Sequence, residues 1–388
     1  MRILLLSYFY TPDIGPGSSR SKSLIDALVD KGSADLKIDV ITTMPNRYPS
    51  LNIDAKHFES NNKVSIYRIK LPKHRNGKLD QIKAFISYSL KVRKLISKKK
   101  WDIVIATSGR LMTASLGTWV AKQTGSKLYL DVRDIFTDTI SSIFAKKPAR
   151  ILMPIFNLLE KWTFCNADKL NIVSAGFLDH FKKITPNLTP SVYTNGIDEI
   201  FLKKDFFTND NKNKNLILYA GNFGEGQGLH NIIPEAANKF KNIQFRLIGD
   251  GPERESLKEN KLFNLQNNIE IINPIIQSKL INEYQKADIL FLHINDYKAF
   301  QKSLPSKIFE YVATGKPILA GVSGYAAQFL NNQVQGVEVF KPGDVEAMKS
   351  SLQKLLKGPK IFDRSNFCIS YSRKNIMEKL AIDVLSLS

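Results

Sequence analysis

Twice in this chain an apolar strand runs into a glycine-rich turn and then into a helix. In the first instance the run Ile3–Tyr8 leads to Thr11-Pro-Asp-Ile-Gly-Pro-Gly-Ser-Ser-Arg20 and a helix over Ser19–Lys31. In the second, Leu216–Ala220 leads into Tyr219-Ala-Gly-Asn-Phe-Gly-Glu-Gly-Gln-Gly228. Short apolar runs then alternate with longer amphipathic segments. That alternation predicts parallel strands joined by crossover helices, since parallel neighbours need a long return path. Two such starts predict two doubly wound α/β units facing one another, with the ligand in the cleft between them.

In the first half, strands are predicted at Ile3–Tyr8, Ile38–Thr42, Val64–Arg68, Ile103–Ala106, Lys127–Asp131, Lys169–Val173 and Ser191–Tyr193. Helices are predicted at Ser19–Lys31, Gln81–Lys99, Met112–Thr124, Ala149–Cys165 and Ala175–Phe181. The polar, turn-rich stretch Lys203–Asn215 reads as the linker. Strands resume at Leu216–Ala220, Ile243–Ile248, Ile269–Ile271, Ile289–His293, Ile318–Ala320 and Val337–Phe340, and Ser372–Leu385 reads as a closing helix. The predicted domains are 1–203, 204–371 and a terminal segment 372–388.

The second glycine turn carries four glycines, Gly221, Gly224, Gly226 and Gly228, in eight residues. Glycine costs backbone entropy, so folding alone explains such a cluster poorly, whereas a backbone cradle for phosphate explains it. In the first turn, Gly15 and Gly17 permit close backbone approach, and Arg20 can fork onto phosphate oxygens. A dinucleotide fingerprint would place glycine where Arg20 stands and an acidic residue at the end of Val40-Ile-Thr-Thr43, so nicotinamide chemistry is disfavoured.

The stretch Ser303-Leu-Pro-Ser-Lys-Ile-Phe-Glu-Tyr-Val-Ala-Thr-Gly-Lys-Pro-Ile-Leu-Ala-Gly321 follows an apolar strand, opens a short helix and closes it at Gly315. Pro305 and Ser306 suit a helix start. Lys307 and Glu310 are one turn apart, so they share a face. They read either as a solvated pair or as a cation for phosphate beside a carboxylate for ribose hydroxyls.

This stretch, with residues 219–228, resembles the donor-binding elements of family 4 glycosyltransferases of the two-Rossmann-domain (GT-B) type. The likeness is closest to the bacterial O-antigen and capsule branch that includes L-fucosamine transferases. It implies a retaining, metal-independent enzyme with no cofactor, moving a sugar from a UDP-sugar to a lipid-diphosphate-linked saccharide. N-acetyl-L-fucosamine is the sugar of that branch. The resemblance places Glu310 on ribose, and Lys307 and Arg20 on the diphosphate. It assigns to the donor Gly221, Asn222, Gly224, Gly226, Gln227, Gly228, Gly249, Gly251, Lys302, Leu304, Pro305 and Ser306. It assigns to the acceptor side Gly15, Gly17, Ser18, Arg133 and Asp134. It also implies that the terminal helix crosses back to the first domain. The chain departs from the wider family in having Lys302 where a glutamate is usual, and neutral Asn222 and Gln227 where cations are usual. The diphosphate is then left to backbone amides, Lys307 and Arg20 or Lys302.

Other signals set bounds. In Leu130-Asp-Val-Arg-Asp-Ile-Phe136, Asp131 and Arg133 either pair with each other or serve the site. His293, at a strand end, either lines the cleft or is structural. No Asp-x-Asp occurs, and the five histidines lack ligand spacing, so no metal is expected. Cys165 and Cys368 give no disulfide framework, which fits a reducing cytoplasm. No 18-residue apolar run occurs, so no spanning helix is expected.

The net charge is +20, and residues 1–200 hold 31 Lys/Arg against 17 Asp/Glu. With no nucleic-acid motif present, that field suits phosphate or an anionic membrane surface. Over Gln81–Lys100 one stripe of Ile82, Phe85, Ile86, Val92, Leu95 and Ile96 is flanked by Lys83, Lys91, Arg93, Lys94, Lys98, Lys99 and Lys100. It reads as a core-facing helix with a basic back, or as a contact with the inner face of the cytoplasmic membrane. Ile143–Phe164 is a second candidate contact. Two rival functions remain: a UDP-sugar epimerase of the same fold, and a non-catalytic nucleotide-sugar-binding protein at the membrane surface.

Overall fold

The computed structural model describes residues 1–46, 53–72, 78–97, 99–109, 111–138, 147–206 and 215–388. The chain divides into two compact units, Met1–Asn195 with Arg373–Ser388, and Gly196–Ser372.

The first unit is built on a sheet of β1 (Arg2–Leu6), β2 (Lys37–Thr43), β3 (Phe58–Ser60), β4 (Val64–Ile69), β5 (Ile103–Thr107), β6 (Lys127–Val132), β7 (Lys169–Ile172) and β8 (Ser191–Val192). Their order is β3-β4-β2-β1-β5-β6-β7-β8, and only the β3–β4 pairing is antiparallel. The central strand β5 is buried along its whole length, as expected of a parallel strand covered by helices on both faces. The short β3 was invisible to periodicity, because three half-exposed edge residues carry no alternation.

The second unit contains β9 (Asn215–Asn222), β10 (Ile243–Asp250), β11 (Ile269–Ile272), β12 (Ile289–His293), β13 (Ile318–Gly321) and β14 (Val337–Phe340). All are parallel, in the order β11-β10-β9-β12-β13-β14. This is a doubly wound sheet whose strand order reverses between β9 and β12, and ligands of such sheets bind outside the carboxyl ends at that reversal. In the first unit the equivalent reversal lies between β1 and β5.

The boundary between the units falls at Asn195/Gly196, not at 203/204. Ile197, Phe201 and Phe206 are buried in the core of the second unit, and Phe201 stacks on Tyr284 with ring centroids 5.9 Å apart. Three apolar anchors thus draw the start of the polar stretch into the second core, while 207–214 lie outside the described residues. At the other end, the helix Arg373–Leu385 packs on the helix Pro16–Lys31 and buries Ile376, Met377, Leu380 and Val384 in the first unit. Its Asp383 accepts from Tyr129 at 2.8 Å, Lys169 at 2.7 Å and Ser191 at 3.1 Å, which ties it to β6, β7 and β8.

Candidate functional site

The glycine turn after β9 is stitched to the segment after β12. Asn295 donates its backbone N–H to the Gly226 carbonyl at 2.9 Å and its side-chain amide to the Glu225 carbonyl at 2.5 Å. His293 donates from Nδ1 to the Gln227 carbonyl at 2.6 Å. That tautomer is set from the other side, where Nε2 accepts the Gly343 N–H at 3.0 Å. Three successive carbonyls therefore face the end of β12. The two ends of a trans peptide point in opposite directions, so the N–H groups that follow face away.

Not all of those amides remain for a ligand. Gly224 N–H donates to Gln227 Oε1 at 3.2 Å, while Gln227 N–H and Gly228 N–H both donate to the Gly224 carbonyl, at 2.9 Å and 3.2 Å. Among the described residues, the N–H groups of Glu225 and Gly226 make no such bond. The cradle read from sequence as Gly224–Gly228 thus narrows to two adjacent amides. The Asn222 and Gln227 amide side chains meet at 3.0 Å, so both are occupied in shaping the turn.

Three of the glycines serve chain packing. A Cβ on Gly249 (φ +152°) would lie 1.8 Å from the Gly221 carbonyl oxygen, which adjoins it across β9 and β10. Gly228 (φ +59°) is left-handed, and a Cβ there would meet the Asn295 side chain at 2.1 Å. Gly251 likewise admits the Phe223 backbone, whose N–H and carbonyl bond Asp250 and Glu253 at 2.9 Å and 2.8 Å.

The segment after β12 leads to the helix Lys307–Ala313, which buries Ile308, Phe309, Tyr311 and Val312 and leaves Lys307 and Glu310 partly open. Tyr311, fully buried, accepts the Ala220 N–H of β9 at 3.1 Å. The buried Arg364 donates to the Val312 carbonyl at 3.3 Å and closes the far end of the helix. Lys307 Nζ lies 2.8 Å from Glu310 Oε2, and the same oxygen accepts from Tyr284 at 3.0 Å. Burial, then the Glu310 charge, pushes the Tyr284 hydroxyl well above the usual phenol range, so it stays a donor. Among the described residues the side-chain bonds to Glu310 fall on Oε2, so Oε1 keeps its acceptor capacity for a ligand hydroxyl. Tyr284 was missed from sequence because it comes from the preceding helix, Gln277–Lys286, with no spacing signal to Glu310.

His293 is 1 % exposed, and burial pulls its pKa down to about 4. The unfolded chain therefore binds the extra proton between about pH 6.5 and pH 4. The stability that neutral His293 contributes is intact above pH 6.5 and is lost as pH falls toward 4, by about 3 kcal/mol in all. Denaturant titrations of wild type and His293→Asn at pH 7 and pH 4.5 should show the gap between them shrinking by about 2 kcal/mol. A gap that does not move with pH would contradict a neutral buried imidazole.

Residues 201–375 match the family of glycosyl transferases group 1. The second unit is a group 1 glycosyl transferase domain. Over 170 residues the chain is 27% identical to the 2-deoxystreptamine N-acetyl-D-glucosaminyltransferase of Niallia circulans, covering 43% of this chain and 41% of that protein. The chain thus spans about two fifths of the length of that relative. It is 22% identical over 389 residues to the Escherichia coli protein WcaI, named for glycosyl transfer in colanic acid biosynthesis, covering 93% of each. Among solved structures, Anabaena HepE in complex with UDP and glucose superposes with a TM-score of 0.61 at 13% identity, covering all of this chain and 96% of that one. That last likeness is one of fold.

Within the glycosyl transferase domain, Lys307, Glu310, Pro305 and Ser306 lie on the segment after β12 and Gly221–Gly228 on the turn after β9, the two sides of the strand-order reversal. Lys302 is half-buried on the same segment. Leu304 is a correction: its side chain is 4 % exposed and belongs to the apolar core, so only its backbone is available to a donor. The domain also gathers Glu225, His230 and Glu253, whose ligating atoms lie within 4.8 Å of one another. Spacing could not show this group, because Glu225 and His230, from the glycine turn and the helix start after it, meet Glu253 from the turn after β10. The two imidazole nitrogens face different carboxylates, Nε2 3.7 Å from Glu225 and Nδ1 3.9 Å from Glu253.

In the first unit, Arg20 is the largest correction. It is 1 % exposed and forks onto both oxygens of Asp131 at 2.8 Å. Two further N–H groups reach the carbonyls of Tyr193 at 2.9 Å and Thr194 at 2.5 Å. So deeply buried, and with four of its five N–H groups committed, the guanidinium is shut away from a diphosphate. Burial alone would raise Asp131, but the Arg20 charge and hydrogen bonds from Arg20 and Asn171 hold it below the usual carboxylate range. Asp131 thus pairs foremost with Arg20, and the Arg133 charge adds to the same lowering. Arg133 lies over the glycine turn, where a Cβ on Gly17 would meet its Nη1 at 2.1 Å. Gly15 starts the helix Pro16–Lys31, Ser18 is buried with its hydroxyl unbonded, and Asp134 is exposed.

The helix Lys78–Ile96 carries two apolar faces where sequence suggested one stripe. Ala84, Tyr88, Val92 and Ile96 enter the core, with Phe85 and Leu95 against it. Ile82, Ile86 and Leu90 stand outward, 56%, 53% and 61% exposed. The helix Lys147–Cys165 likewise exposes Leu152, Ile155 and Leu158, and the helix Leu111–Thr124 packs against both. Lys98 and residues 143–146 of these candidate contacts lie outside the described residues. No helix among the described residues is long and apolar enough to cross a membrane.

Proposed function

We propose that the chain transfers a sugar from a UDP-sugar to a lipid-linked saccharide at a membrane surface, in the synthesis of a bacterial surface polysaccharide. The observation that carries this reading is the Lys307–Glu310–Tyr284 group on the segment after β12, with two amides left open in the glycine turn after β9. In this reading Lys307 takes charge developing on the departing diphosphate, with the Glu225 and Gly226 N–H groups beside it. Glu310, held by Tyr284, accepts from a ribose hydroxyl through Oε1. Catalysis then rests on leaving-group stabilisation and on holding the acceptor hydroxyl close, with retention at the sugar carbon. No metal or cofactor enters the scheme. The sugar that the family likeness favours is N-acetyl-L-fucosamine.

The exposed stripes of the first unit supply the membrane part of the reading. Six large apolar side chains on two helices, beside Lys83, Lys91, Arg93 and Lys94, suit a bilayer interface with anionic lipid.

The test is nucleotide release from a panel of UDP-sugars, with and without lipid-linked acceptor extracted from bacterial membranes. Acceptor-dependent release of UDP from one donor is expected. Conversion of the sugar without release would replace transfer by epimerisation, and binding without turnover would replace it by a non-catalytic role.

A further inference from the structure

A groove of about 620 Å³ lies on the first unit between β4 and the C-terminal part of the helix Lys78–Ile96. Tyr67 and Lys70 line one side, and Lys91, Lys94, Ser97 and Lys99 the other. Some of its charge is already neutralised. The buried Arg68 pairs with Glu59 and donates to the Thr11 and Lys56 carbonyls. Lys99 lies 3.5 Å from Asp39 and 4.2 Å from the centre of the Tyr67 ring.

Lys70, Lys91 and Lys94 differ from these. All three are exposed, and none has a carboxylate partner among the described residues. Lys91 instead donates to the Lys70 carbonyl at 2.6 Å, which fixes it at the rim. Three like charges gathered around one hollow repel one another, and among the described residues no carboxylate pairs with them to offset that repulsion. A phosphate group would, since lysine ammonium groups serve phosphate as point charges. The hollow is far larger than one phosphate ion and falls within the range of sites that hold a sizeable organic ligand.

The same helix indicates what the phosphate is attached to. Ile82, Ile86 and Leu90 follow at four-residue steps, and Lys94 is the next residue in that register. An exposed apolar stripe therefore runs directly into the cationic groove. The geometry points to a binding site for the phosphate headgroup of a membrane amphiphile, with Lys70, Lys91 and Lys94 on the phosphate and the stripe on the acyl region. This rests on the membrane-surface reading above and adds to it a discrete, saturable site.

The test uses the full chain in two assays: flotation with phosphatidylcholine vesicles, with or without phosphatidylglycerol, and calorimetric titration with soluble glycerol phosphate. Three variants are compared with wild type. The groove variant is Lys70→Ser/Lys91→Ser/Lys94→Ser. The stripe variant is Ile82→Ser/Ile86→Ser/Leu90→Ser. The charge-matched control is Lys182→Ser/Lys183→Ser/Lys357→Ser, none of which lines the groove. Wild type and control should float with phosphatidylglycerol vesicles and bind glycerol phosphate saturably. The groove variant should lose roughly 100-fold in apparent vesicle affinity, and should lose glycerol phosphate binding. The stripe variant should keep glycerol phosphate binding while floating poorly.

A control that loses as much as the groove variant would overturn the site in favour of diffuse charge. Glycerol phosphate binding without flotation of any protein would keep the phosphate site and overturn the membrane reading beneath the amphiphile. Absence of glycerol phosphate binding in wild type, with no effect of the groove substitutions on flotation, would overturn the groove itself.

Discussion

Lys307→Ala is expected to lower acceptor-dependent UDP release by about 10²- to 10³-fold, mostly in kcat, the scale set by removing one preorganised partner of a developing oxyanion. The structure says why the loss should be large. The ammonium is held from two sides, 2.8 Å from Glu310 and 3.3 Å from the Tyr284 hydroxyl, on a helix locked into the core by Tyr311 and Arg364. It needs little reorganisation to meet a ligand charge. Glu310→Gln should act differently, raising KM for the donor by about 10-fold and sparing kcat, because a ribose contact is made equally in ground and transition states. The two substitutions should not add, since the side chains touch. Steady-state kinetics of the two single variants and the double variant decide this. Equal, additive losses in kcat for both would contradict the division of roles. Tyr284→Phe should reproduce part of the Glu310 effect without touching any ligand.

Arg20→Ala is expected to destabilise the first unit by about 3–5 kcal/mol, the cost of leaving one buried charge unpaired. Asp131 would remain buried with only the Asn171 amide, 2.7 Å away, and the more distant Arg133 charge. The carbonyls of Tyr193 and Thr194 would lose their donors as well. Arg20→Lys should recover only part of the loss, because an ammonium cannot fork onto both carboxylate oxygens. Denaturant unfolding of the three proteins measures this. Had Arg20 faced a diphosphate, as its place in the glycine turn suggests, substitution would lower kcat with little loss of stability. The opposite pattern is expected.

Arg20 also shows where reading the chain stopped working. Its turn was legible: a strand, two glycines and a helix start are local, and local chemistry dictates them. Its partner was not. Asp131 is 111 residues away, and the nearer Arg133 looked the better match. Only the register of β1, β5 and β6 brings Arg20 and Asp131 together. The same holds in the second unit. Lys307 and Glu310 could be paired from a helical spacing of three, whereas Tyr284 and Asn295 carry no sequence mark of what they hold. The helix Lys78–Ile96 is a third case, since periodicity found its apolar residues but could not separate the face that meets the core from the face that does not.

The sequence by itself determined the two doubly wound sheets, nearly every strand, the glycine turns and the Lys307–Glu310 helix. These follow from hydrophobic period, glycine freedom and helix start signals, all of which act within a few residues. The tertiary structure alone decided the domain boundary at Asn195, the tautomer of His293, the two amides left open in the glycine turn and the burial of Arg20 and Leu304. Each of those depends on which distant strand ends meet, and a buried polar group must take whatever partner that meeting supplies.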